Sequence, residues 1–414
     1  MSNQIADNPF ALCRHFAGSY LHLGISGSVA CYKAADLLRA WLKIGLDVSS
    51  TLSAGARQFI SPMLIESLGA KPVYGEMFET GSDVFTHLEP GMKEGAMIIA
   101  PASANAIARL ARGAASDMLS AQALAFAGPL IIAPAMNPRM WAHPATRENV
   151  QILQKRGAII VRPDIGDTAC GEEGRGRLAK LPEIFLAALR ALSPQDMAGK
   201  NVLVTLGPTR EFWDGVRFWS NPSTGRMGCA LATCAWLRGA KVTAICGPAI
   251  EVYIPEAVKR VTVQSASEMY AEAEKIWPKA DFGIFSAAVS DFAPERIKTG
   301  KASKKDFPDG TEIRFEANRD IIGSLCARKT GQKALGFAAQ ITPDMPSLLP
   351  LVREKLRHKN ADIIAGNRVN PDSGAFGADE NTMAVADRNG REEIWQAASK
   401  ADIAWDLCSW LLKL

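Results

Sequence analysis

Short apolar, β-branched stretches recur along the chain, separated by stretches whose apolar residues fall three and four apart. "YLHLGIS" (20–26), "LDVSSTLS" (46–53), "GAMIIAPA" (95–102), "PLIIAPA" (129–135) and "GAIIVRP" (157–163) are runs of the first kind, and "SVACYKAADLLRAWLKIG" (28–45) is of the second. Strands apolar on both faces, alternating with helices, predict a parallel sheet covered on both sides. A polar break containing a proline, "LRALSPQDMAGK" (189–200), interrupts the pattern, which then restarts. "NVLVTLGPT" (201–209), "GAKVTAICGP" (239–248), "ADFGIFSAAVSDF" (280–292), "QKALGFAAQI" (332–341) and "NADIIAGNRV" (360–369) read as its strands. The expected fold class is α/β: two doubly wound Rossmann-like domains, each with a mainly parallel sheet flanked by helices. They span residues 19–190 and 200–414, joined by a linker at 191–199 and preceded by an extension at 1–18. That extension and the Lys-, Gly-, Ser- and Asp-rich stretch 294–311 read as the mobile parts.

Composition narrows the function classes. The 414 residues exceed what one core fills, and 48% hydrophobic with 22% charged residues suits a soluble globular protein. A net charge of +4 accommodates anionic small molecules but is too slight for nucleic acid or a membrane surface. No apolar run approaches the ~18 residues of a membrane span, and the first 20 residues lack the pattern of a secretory signal. A cytoplasmic protein is expected. Eight dispersed cysteines without a CxxC pair, and five dispersed histidines, argue against a disulfide framework and a structural zinc site. Most of the thiols should be buried small hydrophobes.

Ligands of doubly wound sheets sit beyond the carboxyl ends of the strands. Three strands of the first half end in small polar turns that lead into helices, where backbone N–H groups suit an anion. "GISGSVACYK" (24–33) presents Gly27 and Ser28, "TLSAGARQF" (51–59) presents Thr51 and Ser53, and "APASANAIARLARG" (100–113) presents Ser103 and Asn105. Together they suggest a mononucleotide-type cofactor. In "IIAPAMNPRMWAHP" (131–144), Asn137 lies between two prolines directly after a strand, which stiffens the backbone around one amide. Cys170, in "DTACGEEGRGRL" (167–178), is flanked by Gly171, Gly174 and Gly176, which reads as a mobile surface loop. The thiol is either incidental or a proton donor, with Arg175 and Arg177 near enough in sequence to tune it. His87, in "FTHLEP", is a lone histidine in a loop before a strand. In the second half, "GPTREFWDGVRFWSNPSTGRMG" (207–228) is again a Gly-rich, hydroxyl-rich approach to a helix. Asp291 ends the strand of "AAVSDF". The lysines of "KTGKASKK" (298–305) form either a solvated loop or a phosphate clamp.

The combination "GISGSVACYKA", His87 ahead of "APASAN", "PAMNPRMW" and "ACGEEGRGRL" resembles the flavin-dependent cysteine decarboxylases, and more closely the decarboxylase half of the bifunctional coenzyme A biosynthesis flavoproteins. The resemblance implies FMN as cofactor, with Gly27, Ser28, Ser53, Ser103 and Asn105 among its contacts, in an FMN-binding decarboxylase domain. It implies 4′-phosphopantothenoylcysteine as substrate, oxidised at its cysteinyl moiety to a thioaldehyde-like species that loses CO₂. Asn137 would hold the substrate carboxylate, His87 would act in the oxidative step, and Cys170 would supply the proton in the reductive one. The prolines would keep the amide pre-positioned.

"GPTREFWDGVRFWSNPSTGRMG", "AAVSDF", "GFAA" and "KLRHKNADIIAGN" resemble, in order, the phosphopantothenate–cysteine ligase half of the same family. This implies that the 4′-phosphopantothenate carboxylate attacks the α-phosphorus of CTP, with Mg²⁺ helping to neutralise the phosphates. The acyl-cytidylate then yields to the cysteine amine. Lys301 would serve the activation step and Asn221 the acyl intermediate. Asp291, Lys301, Asn318, Arg319, Asp320, Ile321, Phe337, Lys355 and Lys359 match nucleotide-contacting positions. The family also implies a homo-oligomer, with decarboxylase trimers at whose interface the FMN lies, ligase dimers, and a dodecamer as one assembly. Five positions depart from its pattern. Lys301-Ala302-Ser303-Lys304 stands for K-I-K-K, Gln340 and Arg368 stand where acids are usual, and Arg226 replaces a lysine. Gln340 and Arg368 suggest one alternative, a decarboxylase with an altered ligase half; two others are a flavoprotein regulatory subunit and a nicotinamide-dependent oxidoreductase. The last is disfavoured by the missing G-x-G-x-x-G.

Overall fold

The structure, a computed structural model, describes residues 5, 7–78, 85–167, 171–248, 250, 252–297, 300–303, 305, 310–369 and 380–414. The chain divides into two compact units, Met1–Pro194 and Gln195–Leu414. Among the described residues the first unit carries one six-stranded sheet and one hairpin. The sheet consists of β1 (Tyr20–Ile25), β2 (Asp47–Leu52), β3 (Val73–Tyr74), β4 (Gly95–Ala102), β5 (Leu130–Pro134) and β6 (Ile159–Ile160), in the order β3-β2-β1-β4-β5-β6. Every pairing in it is parallel. β1 is buried at all six positions, which is why it reads as a continuous apolar run.

Helices α1 (Tyr32–Lys43), α2 (Pro62–Ser67), α3 (Ala104–Arg112), α4 (Met118–Ala125), α5 (Pro138–Ala142), α6 (Pro144–Lys155) and α7 (Leu181–Leu192) accompany these strands. Their starts are written in the sequence. Ser61, Ser103 and Asn137 are side-chain N-caps, and Asp117 forms a capping box with Ser120. The apolar face of α1, Ala34, Leu37, Leu38 and Trp41, is buried, and the Trp41 indole donates to Phe185 O. A 3-10 turn at Val29–Cys31 precedes α1, so this helix starts later than the expected residue 28.

Two expectations are corrected here. The extension is packed rather than loose. Asn8 caps a 3-10 turn at Pro9–Leu12, and Ile5, Phe10, Cys13 and Phe16 are buried. The stretch 167–178, expected as a mobile surface loop, belongs in part to an antiparallel hairpin of β7 (Asp164–Asp167) and β8 (Glu173–Arg177). Cys170 lies outside the described residues.

The second unit is built on β9 (Asn201–Leu206), β12 (Lys241–Cys246), β13 (Lys259–Thr262), β14 (Phe282–Phe285), β17 (Lys333–Gln340), β18 (Ile363–Arg368), β19 (Glu380–Asp387) and β20 (Glu392–Ser399), ordered β13-β12-β9-β14-β17-β18-β19-β20. The first six pair in parallel, and β19 and β20 add antiparallel at one edge. Two small ribbons, β10 (Glu211–Phe212) with β11 (Phe218–Trp219) and β15 (Phe292–Pro294) with β16 (Phe315–Ala317), stand apart from this sheet. The single strand expected at 280–292 is therefore β14, a turn and β15. Its helices are α8 (Arg226–Leu237), α9 (Ala266–Ile276), α10 (Ile321–Cys326), α11 (Leu348–His358) and α12 (Lys400–Leu412). A Cβ on Gly228 would overlap Leu206, so glycine is what lets α8 lie directly on β9. The seven described cysteines are buried thiols, as expected.

Candidate active sites

In the first unit a cavity of about 620 Å³ opens where strand order reverses, between β1 and β4. Gly27 after β1, Ser53 after β2, and Ser103 and Asn105 after β4 line it. A Cβ on Gly27 would stand 2.9 Å from the Gly55 carbonyl carbon, so two glycines let the first two turns touch. Ser26 Oγ joins the first and third turns, donating to Pro101 O at 2.9 Å and accepting from Ser103 N at 2.7 Å. Ser103 Oγ caps α3, aiming that helix start at the cavity.

Arg57, unnoticed in the sequence, also lines the cavity. Its side chain is 24% exposed, its Nε and Nη2 are buried without a hydrogen-bond partner, and Glu76 lies 3.6 Å from its Nη1. Buried guanidinium donors left unpaired are costly, and an anion in the cavity would offset that cost. The signal available in the sequence was a cation directly after the Ser53–Gly55 turn.

Ser28 belongs elsewhere. Its hydroxyl accepts from Ala30 N and caps the 3-10 turn, and Ser28 does not line the cavity. Thr51 is not a strand-end donor either. It is buried and bonded to His22 Nε2 and Gln122 Oε1. His22 Nδ1 meets Ser49 Oγ at 2.7 Å, and Ser49 meets Tyr20 OH at 2.6 Å. Complete burial lowers the His22 pKa to about 3, so the ring is neutral. At the far end of this chain of bonds, Gln122 Nε2 donates to Thr86 O, the residue before His87. His87 is half-buried and does not line the cavity.

Asn137 lies just outside it, on the segment whose Met140 is part of the lining. This segment runs beside β8, with Met136 N donating to Gly176 O at 2.9 Å. The structure thus brings together the two motifs "PAMN" and "GEEGRGR", which are some 35 residues apart in sequence and touch through Asn137 Nδ2 and Glu172 Oε2 at 2.9 Å.

In the second unit a cavity of about 610 Å³ lies at the corresponding reversal, between β9 and β14. Asn221, Asp291, Asn318, Arg319, Asp320, Ile321, Phe337, Lys355 and Lys359 all line it, with Ser223 to Gly225 and Arg226 at the start of α8. Asn221 Nδ2 donates to Val289 O at 2.9 Å, and Asn318 Nδ2 donates to Ser290 O at 2.8 Å. Lys359 Nζ pairs with Asp320 Oδ2 at 2.6 Å. Burial foremost, and then Lys359, lowers the Lys355 pKa. The Arg319 guanidinium stacks 4.5 Å from the Tyr270 ring centre. These cations converge on a pocket whose floor is apolar strand ends, a setting for a polyanion with a planar base.

Lys301 is exposed and does not line this cavity. Its neighbour Ala302 is buried and held by N–H donation to Asp214 Oδ2 at 3.1 Å. Asp214, fully buried, also accepts from Val216 N and Arg217 N. Of the departures, Gln340 and Arg226 face the cavity, whereas Ala302 and Ser303 do not. Arg368 instead donates to Pro343 O at 2.7 Å. Among the described residues, no three acids, histidines or cysteines gather to hold a metal ion.

Family comparison covers both units. The profile of the Flavoprotein family matches residues 14–192, and that of the DNA/pantothenate metabolism flavoprotein C-terminal domain matches residues 197–414. The coenzyme A biosynthesis bifunctional protein CoaBC of Bacillus subtilis is 36% identical over 390 residues, covering 93% of this chain and 94% of that protein. The protein of the same name from Escherichia coli K12 is 36% identical over 377 residues, covering 89% and 90%. A solved C-terminal domain of a CoaBC protein is 30% identical, covers 53% of this chain and 97% of its own, and has a TM-score of 0.44.

Proposed function

The chain belongs to the family of coenzyme A biosynthesis bifunctional proteins, with a decarboxylase and a ligase half, and on that premise we propose what each cavity does. The second unit joins cysteine to 4′-phosphopantothenate at the expense of CTP. The first converts the resulting 4′-phosphopantothenoylcysteine to 4′-phosphopantetheine with FMN. What carries the reading is that every expected ligase residue except Lys301 lines one cavity at the sheet's reversal point.

In the ligase half, Lys355, Lys359 and Arg226 offset triphosphate charge, and Arg319 and Phe337 supply surfaces for the base and ribose. The substrate carboxylate attacks the α-phosphorus and pyrophosphate leaves. The cysteine amine then displaces CMP from the acyl-cytidylate. Asn221, fixed by Val289 O, faces that acyl group. Lys301 serves the activation step, and its neighbour Ala302 is held by Asp214. A magnesium ion enters on the triphosphate.

In the decarboxylase half, the Gly27–Gly55 approach, the capped start of α3 and the Arg57 donors fit the phosphate of FMN. Bound FMN would supply the two-electron chemistry. The chain's residues orient the substrate carboxylate at Asn137, place His87 through Gln122 and Thr86, and deliver a proton from Cys170. Matches through both halves favour this two-step enzyme over a flavoprotein regulatory subunit. Exposed Phe78, Phe85 and Met92 on the first unit and Phe218, Trp219 and Phe292 on the second support association of copies into trimers and dimers. Among the described residues no helix is long and apolar enough to cross a membrane. Metabolites of this kind suit a cytoplasmic enzyme.

Two variants test the assignments. Cys170→Ser should still bleach the flavin colour with substrate yet release no product. Asn221→Asp should accumulate acyl-cytidylate, visible by mass spectrometry. Normal turnover by either removes that residue's role.

A further inference from the structure

His87 is third in a turn that Leu88 N closes by donating to Phe85 O at 2.8 Å. Residues on both sides of it are tied to the rest of the first unit. One position before it, Thr86 O accepts from Gln122 Nε2 of α4 at 3.2 Å. Two positions after it, Glu89 Oε2 accepts from Tyr74 OH of β3 at 2.6 Å. A Cβ on Gly91 would stand 2.6 Å from Ala125 O, so the next turn lies directly against the end of α4.

The tie through Gln122 allows one direction of donors. A carbonyl can only accept, so Gln122 turns Nε2 to Thr86 O and Oε1 to Thr51. Thr51 gives its single hydrogen to that oxygen and therefore accepts from His22 Nε2 at 3.0 Å. The neutral His22 ring is left with Nδ1 as acceptor from Ser49 Oγ at 2.7 Å, and Ser49 accepts from Tyr20 OH at 2.6 Å. All five side chains are buried, so the Gln122 amide cannot turn over without breaking both of its bonds. The buried Tyr74 ring stands 5.9 Å from the His22 ring between centres, which places both ties on one packed block.

We propose that Gln122 and Tyr74 are positioning residues for His87, clamping its segment through Thr86 on one side and Glu89 on the other, so that the imidazole is pre-ordered for the oxidative step. This rests on the decarboxylase reading above and adds the second tie and its partner to it. Neither Gln122 nor Tyr74 lines the cavity, so each acts through the backbone that carries His87. Displacing a catalytic group by about 1 Å slows a step up to ~100-fold, and loss of one tie of two should cost about tenfold.

The test uses flavin-loaded full-length chain. Stopped-flow absorbance gives the rate at which saturating 4′-phosphopantothenoylcysteine bleaches the flavin. Calorimetry gives the affinity for 4′-phosphopantothenoylalanine, which lacks the thiol and does not react. Tyr74→Phe and Gln122→Leu should each slow bleaching about tenfold while probe affinity and flavin content stay within about twofold. Glu89→Gln, which keeps an oxygen for Tyr74 OH, should bleach within about twofold of wild type, whereas Glu89→Ala should match Tyr74→Phe. Bleaching at the wild-type rate in Tyr74→Phe and Gln122→Leu, even with a lowered melting temperature, would make these bonds packing alone and overturn the proposal. So would a loss of probe affinity as large as the loss of rate. If Gln122→Leu does not fold, Tyr74→Phe, which removes a single oxygen, decides the matter. Wild-type chain that does not bleach with substrate would instead remove the decarboxylase reading itself, a result distinct from failure of the clamp.

Discussion

Asp320 serves two masters at 2.6 and 3.1 Å: its Oδ2 pairs with Lys359 Nζ while its Oδ1 caps α10 through Gly323 N. The lysine is thereby held at the rim of the ligase cavity beside Lys355. Lys359→Gln should weaken CTP binding about tenfold, the worth of one charge-assisted phosphate contact. Flavin content should not change. Calorimetry with CTP checks the first and absorbance the second. Unaltered CTP affinity would remove Lys359 from the nucleotide site.

Arg57 gives a prediction of opposite sign for binding and stability. Its Nε and Nη2 are buried and unpaired, so Arg57→Met removes two unsatisfied donors as well as a charge. FMN should be retained about tenfold less well, while the flavin-stripped chain unfolds at an equal or higher temperature. Dialysis against flavin-free buffer and a thermal melt measure the two. A variant that loses stability but keeps flavin would make Arg57 a packing residue.

His22 sets a pH dependence. Its folded pKa is about 3 against 6.5 for an ordinary histidine. As pH falls below 6.5, the unfolded chain takes up a proton that the folded chain refuses. Stability is therefore complete above 6.5 and lost at up to ~1.4 kcal/mol per pH unit on the way to 3. By pH 4 the loss should reach about 3 kcal/mol. The difference between urea midpoints at pH 7 and pH 4 should be smaller in His22→Gln, whatever that variant's absolute stability. An unchanged difference would show that other groups govern the acid response.

Asp214 tests the role proposed for Lys301. Arg217 N–H donation above all holds the Asp214 carboxyl below its usual range, and the same carboxylate holds Ala302 N, next to Lys301. Asp214→Asn weakens that hold without touching the cavity lining. Ligase kcat should fall tenfold or more, CTP affinity should be unchanged, and Asp214→Glu should recover little, because the longer side chain misplaces the acceptor. A fall in CTP affinity with kcat intact would contradict the positioning role.

Much of the architecture was legible because parallel strands covered by helices must be apolar on both faces, and β1, β4, β9 and β17 are. The C-terminal pair β19 and β20 went unread, although "RNG" at 388–390 carries an Asn-Gly hairpin turn whose Gly390 has φ +89°. The β7–β8 hairpin could not be read from propensity. Its glycines disfavour strands, and it exists because Gly176 fits against Met136. The cavity-lining Gly27, Ser53, Ser103 and Asn105 were legible from small polar turns after apolar runs, but Ser28 and Thr51, read from the same turns, face elsewhere. Arg57 and Asp214 were not legible, since a lone charged side chain in a loop shows its partners only when distant segments meet.

Whether one chain holds a ligase and a flavin-dependent decarboxylase acting in sequence is decided by supplying purified flavin-loaded protein with 4′-phosphopantothenate, cysteine and CTP, omitting each in turn, and measuring pyrophosphate, CO₂ and 4′-phosphopantetheine. All three products should form with the complete mixture. None should form when 4′-phosphopantothenate or CTP is left out, and supplied 4′-phosphopantothenoylcysteine should restore CO₂ without CTP. A complete mixture that yields no pyrophosphate, together with supplied 4′-phosphopantothenoylcysteine that yields no CO₂, would show that neither half has its proposed activity.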